Sequence, residues 1–456
     1  MKDLTSGNLY KNFILFAVPL VLAGLFSQAY GLVDTMIAGQ YLGAEGLAAI
    51  GATAQAVSLL SSLFWGFSAG YGVYIGGLFG ARQYSRIRRE LATVIPALML
   101  VELAVGLLTV VFHRPLLSLL QVDPAVRQEA GLYFCIYMGG LFLILQNNTF
   151  LAVFNALGSS GFPFGMSVVA AVLNVGGNLL SVTVLDWGVA GVAVSSVFAA
   201  LVVNVGYLLK LRGYFREMGV AGEPLRPAWD SLRRCFGYGA PVALQQTAMY
   251  VAGFVISPLI NGLGASASAS YTVVMRLYEI NAAIYQNSAK TVSNYAAQCV
   301  GAGKYAGLRR GLGVGFLQGV VFVLPTLLIC CLCARPICAL FFPEGFVGEA
   351  MTYAVRFARL YLPLVVFNVV NNLFHAFFRG VAAMRWLVIA TVYASVLRIV
   401  ASLVLIPLWG MDGLFAGWVF SWVGEVALVL LVYGLLFSSP EKLARRLCRI
   451  TRHIGR

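Results

Sequence analysis

The chain is a succession of long apolar runs separated by short polar ones. From Asn12 to Val33 there are 22 consecutive residues without Asp, Glu, Lys or Arg, and comparable stretches recur along the sequence. A helix needs about 20 apolar residues to cross a bilayer, whereas a membrane barrel shows alternating segments of about 10. The runs predict twelve helical spans at approximately 13–38, 47–79, 91–112, 130–157, 164–185, 189–210, 236–261, 267–299, 312–334, 351–378, 386–408 and 413–437. Gly and Pro punctuate the breaks, as at Gly158 to Pro163 and Pro407 to Gly413. The eighth span carries charged residues and the eleventh carries Arg398.

Composition agrees with an all-α integral membrane protein. Of 456 residues, 60% are hydrophobic and 11% charged, and mean hydropathy is +0.86. A soluble protein carries about 25% charged residues. The first apolar run exceeds the h-region of a signal peptide and lacks an early small-residue cleavage site, so it reads as the first span. Cys330, Cys331, Cys333 and Cys338 lie in or just after one apolar run without His or carboxylate neighbours. They read as packing residues, not as metal ligands or disulfides.

The net charge of +14 would suggest a nucleic-acid partner in a soluble protein. Its placement points elsewhere. The N-tail, the even-numbered loops and the C-tail hold 23 Lys and Arg, and the opposite loops with adjoining helix ends hold 5. That asymmetry predicts both termini in the cytoplasm, which an even number of spans satisfies.

The sequence repeats internally. Gly80 to Arg89 recurs as Gly301 to Arg310, with Gly80, Ala81, Tyr84, Arg88 and Arg89 preserved as Gly301, Ala302, Tyr305, Arg309 and Arg310. Arg114-Pro115 recurs as Arg335-Pro336, Pro19 as Pro241, and Trp187-Gly188 with Gly191 as Trp409-Gly410 with Gly413. Two six-helix bundles of like orientation are expected: 1–210, and 236–437 after a cytoplasmic linker at 211–235, with a basic tail at 438–456. Parallel repeats of this kind build transporters, in which two bundles rock about a central cavity. Duplication can also serve only to build a large fold.

Chemistry inside the spans is sparse. Asp34 ends the first uncharged run. A carboxylate at bilayer depth costs about 2.5–3.5 kcal/mol on insertion scales and needs a partner, a proton or a cation. Asp34 is therefore either a coupling site or a residue near a helix end that reaches interfacial water. Asn174 and Asn178 share a helix face, either as part of such a site or as a packed polar contact. Arg276 and Glu279 can pair, or, with Lys290 and Arg398, line a basic cavity suited to an anionic substrate. Tyr271, Tyr278 and Tyr285 recur every seven residues, as a substrate-facing stripe or as core. Glu102 and Glu425 are further intramembrane carboxylates. His113, His375 and His453 show no metal spacing, and neither a Walker loop nor G-x-S-x-G is present. These features speak against a metalloenzyme, a serine hydrolase and an ATP-driven pump.

The motif Val33-Asp34-Thr35-Met36-Ile37-Ala38-Gly39, followed by Leu42-Gly43-Ala44-Glu45-Gly46-Leu47-Ala48-Ala49, resembles the first-helix signature of the multidrug and toxic compound extrusion (MATE) family. Gly188-Val189-Ala190-Gly191-Val192-Ala193 resembles its entry to helix six. Ala240-Pro241-Val242-Ala243-Leu244-Gln245-Gln246 and Gln298-Cys299-Val300-Gly301-Ala302-Gly303-Lys304-Tyr305 resemble the start of helix seven and the end of helix eight. The resemblance implies a secondary antiporter that expels amphipathic organic compounds for H⁺ or Na⁺. It implies no cofactor and no metal, a small organic substrate and membrane lipid as partners, and a monomer in the plasma membrane.

Within the family the chain looks most like the DinF-like branch, whose polar cluster draws Asp, Tyr, Asn, Asp and Thr from helices one, four, five and six. Asp34, Tyr133, Asn174, Asn178 and Ser196 stand at those positions, with Asn178 for the second Asp and Ser196 for Thr. One carboxylate then remains instead of two. Pro19, fifteen residues before Asp34, removes a backbone hydrogen bond and is the expected bend point. The helix-seven Glu of the NorM-like branch is Met249 here, and Asn371 and Asn372 lie where its helix-ten Asp is expected. A lipid-linked oligosaccharide flippase of the same superfamily is the alternative; it would use the basic residues of the second half.

Overall fold

The computed structural model describes residues 1–120, 122–223, 228–342 and 348–439, and within them the backbone alone of Tyr30, Leu32, Asp34, Ala44, Leu47, Gln55 and Ala56. The described regular structure is helical throughout. A bilayer core supplies no hydrogen-bond partners, and a helix satisfies its backbone internally. In order the elements are α1 (Leu9–Tyr41), α2 (Gly43–Gly80), α3 (Tyr84–Val111), the short α4 (His113–Leu119), α5 (Arg127–Gly139), α6 (Leu141–Ala156), α7 (Gly161–Thr183) and α8 (Gly188–Glu217). They continue as α9 (Trp229–Gly262), α10 (Ala265–Gly301), α11 (Gly307–Leu332), α12 (Ala334–Ala339), α13 (Glu349–Arg356), α14 (Val365–Gly380) and α15 (Met384–Leu436).

Among the described residues, eight helices are long and apolar enough to cross a membrane, or ten if each of two bent pairs is one span. One bent pair is α5 with α6, angled by 45°. The comparable stretch of the second half, between α13 and α14, passes through a π-turn at Phe357–Tyr361 and a 3₁₀ turn at Leu362–Leu364. Pro363 has no N–H to continue the ladder, which accounts for the irregularity there. At 53 residues α15 would be about 80 Å long, well over the roughly 30 Å hydrocarbon core. It is two limbs joined at Gly410, whose φ of 57° and ψ of −129° interrupt the helix.

The repeat is preserved at the level of single hydrogen bonds. After α2, the N–H of Arg82 reaches Phe79 O and that of Gln83 reaches Leu78 O; after α10, Gly303 reaches Val300 O and Lys304 reaches Cys299 O. Both turns need a left-handed residue, Arg82 with φ 57° and Gly303 with φ 69°. Helices commonly end this way, and glycine does so without a Cβ penalty.

Contacts divide the chain into two compact units, and the division falls within helices. One unit is Met1–Asp3 with Leu22–Ala243, and the other is Leu4–Val21 with the chain from Leu244 onward. In the first, the start of α9 lies directly on α2. A Cβ at Gly66 would collide with the backbone of Val242 and Ala243, and one at Gly70 with the backbone of Tyr238 and Gly239. Small residues four apart let helix axes approach this closely in membranes. The same arm is held by Arg234, whose Nη2 lies 2.7 Å from Oε1 of the buried Glu90 on α3; Tyr74 of α2 donates to the same oxygen at 3.2 Å. The α7–α8 hairpin closes through Gly191 against Ser181 and Gly177 against Ser195.

The second unit seats its own arm in a comparable way. Leu4 N donates to Gln298 Oε1 at 2.9 Å, and Phe13 meets Tyr295 edge-on at 5.2 Å. Gly307 and Gly311 of α11 leave room for Tyr295, and Gly315 for Val292. The limbs of α15 fold back on one another, with Gly413 on Leu405, Gly417 on Ser402 and Gly424 on Leu397.

Gly70→Val is expected to lower the thermal midpoint of the purified protein in detergent. Overpacking typically costs about 1–3 kcal/mol, and here the obstruction is the Tyr238 carbonyl, not a mobile side chain. Gly313→Ala, at an exposed helical position with open space around it, should be neutral or stabilising by up to about 1 kcal/mol. Equal stability of the two variants would refute the close α2–α9 contact.

Candidate functional site

In the first unit, α7 and α8 bring three of the expected site residues into one hydrogen-bonded chain. Asn178 Nδ2 donates to Asn174 Oδ1 at 3.3 Å, Asn174 Nδ2 donates to Ser196 Oγ at 2.9 Å, and Ser196 Oγ donates to its own helix at Val192 O, 3.1 Å away. Asn174 and Asn178 are buried and Ser196 is half-buried. The i, i+4 spacing puts both amides on one face of α7, and the hairpin packed at Gly177 and Gly191 sets the distance at which Asn174 reaches Ser196 of α8.

Tyr133 of α5 lies beside the same hairpin. It packs in a buried cluster with Val182, Val189, Val192 and Ala193 and stacks on Tyr137 with ring centroids 5.7 Å apart. Asp34 is in α1, and its side chain lies outside the described residues. Pro19 is inside α1, and the boundary between the two units falls just after it, between Val21 and Leu22. The described members of the cluster offer amide and hydroxyl groups and no charge. Such oxygens can complete the coordination of a hard cation or hydrogen-bond a carboxyl group, but a fixed negative charge has to come from elsewhere.

In the second unit the expected residues separate into two groups. Tyr271, Tyr278 and Tyr285 of α10 and Arg398 of α15 converge on Trp418 and Trp422. Tyr271 and Tyr278 meet Trp418 edge-on at 6.1 and 5.6 Å, Tyr278 stacks on Trp422 at 6.1 Å, and the Arg398 guanidinium sits 4.3 Å from the Trp418 ring centroid. Tyr285 donates to the Tyr278 hydroxyl at 3.1 Å, and Asn368 Nδ2 donates to both, at 2.8 Å to Tyr278 and 3.0 Å to Tyr285. The other residues make local contacts. Arg276 pairs with Glu279 at 3.3 Å on a half-exposed face, and Lys290 Nζ donates to Asn287 Oδ1 at 2.7 Å. The ion pair brings no net charge to its surroundings, and the guanidinium of Arg398 covers an indole face with a cation–π contact.

Sequence reasoning missed Asn368, Trp418 and Trp422 as parts of this group. A signal was present. Asn368, Asn371, Asn372 and His375 follow the i, i+3, i+4, i+7 spacing of one helix face in a span that is otherwise apolar. Trp418 and Trp422 are i and i+4. A polar stripe within a membrane helix calls for partners, and here Asn371 Nδ2 donates to Trp422 O at 3.0 Å.

Comparison with known proteins places these features in a family. The MatE family profile matches residues 19–180 and 241–404, more than half of the chain. The sequence is similar to the probable multidrug resistance protein YoeA of Bacillus subtilis (strain 168), with 25% identity over 334 residues, 70% of this chain and 71% of that protein. It is similar to the multidrug export protein MepA of Staphylococcus saprophyticus, with 24% identity over 277 residues, 60% of each chain. The fold is similar to an outward-facing multidrug resistance MATE family transporter of the MOP superfamily, with a TM-score of 0.87 and 17% identity over 97% of this chain and 99% of that one. With two matched segments that each begin at a repeat-equivalent proline, Pro19 and Pro241, the chain belongs to the MatE family and is a multi-pass membrane transporter, not an enzyme.

Proposed function

We propose that this transporter exports amphipathic organic compounds, drugs and dyes among them, across the plasma membrane in exchange for H⁺ or Na⁺. Family membership supports export, as do the relatives that carry the names of a multidrug resistance protein and a multidrug export protein. In this reading the chain has twelve spans with both termini cytoplasmic, works as a monomer, and alternates access by rocking of two bundles. The bundles are 1–210 and 236–437, with the linker at 211–235 and the tail at 438–456. The excess of Lys and Arg in alternate loops supports that orientation.

One observation carries the coupling site: the buried relay from Asn178 through Asn174 to Ser196, beside Tyr133. A polar chain of this kind on membrane helices is costly without a function or a full set of partners. Asp34 supplies the charge that the relay lacks, as in the DinF-like branch. Binding of the ion there biases the bend of α1 at Pro19, close to the point where the helix passes from one compact unit to the other. The substrate meets the aromatic group of Tyr271, Tyr278 and Tyr285. The pairing of Arg276 with Glu279 cancels its positive charge and so favours a neutral or cationic substrate over an anionic or lipid-linked one.

Ethidium efflux from pump-deficient bacteria, in Na⁺-free buffer with an inward proton gradient, tests the coupling site. Wild type should extrude the dye and Asp34→Asn should not. Retained efflux in the variant would remove Asp34 from the coupling site. Failure of wild type under both proton and Na⁺ gradients would overturn cation-coupled drug export. In the same assay Arg276→Ala and Lys290→Ala should leave ethidium efflux unchanged and confer no transport of anionic dyes. A gain or loss of anion transport in either would favour the anionic substrate instead.

A further inference from the structure

Five Lys and Arg residues stand in the loops and helix ends opposite the basic side of the chain, and three of them meet at one place in the second unit. Arg335 of α12, Arg356 at the end of α13 and Arg359 in the π-turn that follows line a cleft of about 500 Å³, together with Met351, Thr352 and Leu360. A membrane protein whose basic residues mark one side carries few on the other, so the convergence of three calls for an anionic ligand. We propose that this cleft binds the phosphate headgroup of an anionic phospholipid, in the leaflet that the proposed orientation makes the outer one. The site goes beyond the export reading. Neither the relay of α7 and α8 nor the aromatic group of α10 takes part in it.

The fold presents these side chains outward. Phe357 and Ala358 are buried, Phe357 against Phe415 at 4.9 Å and Trp418 at 6.0 Å, while Arg356, Arg359 and Leu360 are exposed. Cys331 Sγ donates to Arg359 O at 3.7 Å and ties the turn to α11. π-turns are frequent at functional sites, and this one sets Arg359 beside Arg356 on the wall of the cleft. The charges are only partly compensated. Arg356 pairs with Asp412 of α15, and Tyr361 donates to the same carboxylate at 3.5 Å. Arg335 and Arg359 form no ion pair among the described residues, and Glu349 of α13 is exposed and is not among the residues that line the cleft. Two guanidinium groups are therefore left to a ligand. Each offers a planar fork of N–H donors that matches two oxygens of a phosphate.

Apolar side chains favour a lipid over a soluble anion. Leu360 lines the cleft with 61% of its surface exposed, and Leu332 and Leu340, on either side of α12, expose 76% and 82%. Large apolar side chains left open in this way mark contact with a membrane. A headgroup held by the arginines would lay its acyl chains along these leucines, so one molecule satisfies both features. The first unit has no equivalent site. Arg114 of α4 is the repeat counterpart of Arg335, but α5 carries no basic residue after Arg127 at its first position.

Native mass spectrometry of the full-length protein in detergent, with dioleoylphosphatidylglycerol or dioleoylphosphatidylcholine added, tests the site. Wild type should retain phosphatidylglycerol in preference to phosphatidylcholine. Arg359→Gln should weaken that retention about fivefold, the share of one basic residue facing an anionic headgroup. Arg335→Gln combined with Arg359→Gln should remove the preference, and Arg114→Gln should leave it as in wild type. Equal retention of the two lipids by wild type, or an unchanged preference in the double variant, would overturn the site. Loss of the preference in Arg114→Gln as well would overturn it by showing that general surface charge holds the lipid. Excess inorganic phosphate should not displace phosphatidylglycerol from wild type. Displacement would assign the cleft to a free phosphate and overturn the lipid. Both arginines are exposed, so their replacement by glutamine leaves the core intact. Retention in detergent does not depend on which way the chain crosses the membrane or on what it exports, so a negative result would leave the export reading standing.

Discussion

The hydrocarbon interior offers no hydrogen-bond partners, and every part of this structure answers to that constraint. It makes the backbone helical through the spans. It also forces polar side chains to find one another. The amides of Asn174 and Asn178 end on a serine and a backbone carbonyl, and Asn368 joins two tyrosine hydroxyls. In water each of these groups would be content alone. Here each becomes a point at which one helix is registered against another.

Close approach of helices supplies the rest of the cohesion. Lipid chains are as apolar as leucine, so helices associate through packing and not through a hydrophobic drive between them. Glycines at Gly66 and Gly70, at Gly177 and Gly191, and at Gly307, Gly311, Gly315 and Gly319 of α11 mark where backbones or side chains come nearest. The same device seats the start of α9 on α2, while Tyr295 of α10 holds the start of α1 in the other unit. Each compact unit therefore includes an arm that precedes or follows its main run in sequence. Pro19 and Pro241 lie within a few residues of the points where the chain changes unit. A proline removes a backbone hydrogen bond from the helical ladder at its position.

Much of the polar chain on α7 and α8 was legible in the sequence. Asn174 and Asn178 declared a shared face by their spacing, and Ser196 joins them across the α7–α8 hairpin. The aromatic group was legible only in part. Three tyrosines at heptad spacing were visible, but Asn368, Trp418 and Trp422 come from distant segments, and a single-helix pattern cannot say which remote face it will meet. Arg276 and Glu279 were the reverse case, because a pair within one turn needs no tertiary structure to form.

Membrane placement, helicity, the internal repeat and the family motifs can all be read from the order of residues alone. These follow from hydropathy, period and local spacing, which are properties of contiguous residues. Where the compact units divide, where α15 breaks, and which polar residues from separate helices share a hydrogen bond emerge in the folded chain. Those outcomes depend on the rotation of each helix about its own axis. That rotation is set by packing against neighbours, through the glycine contacts and the polar pairs, and no stretch of sequence contains both sides of such a contact.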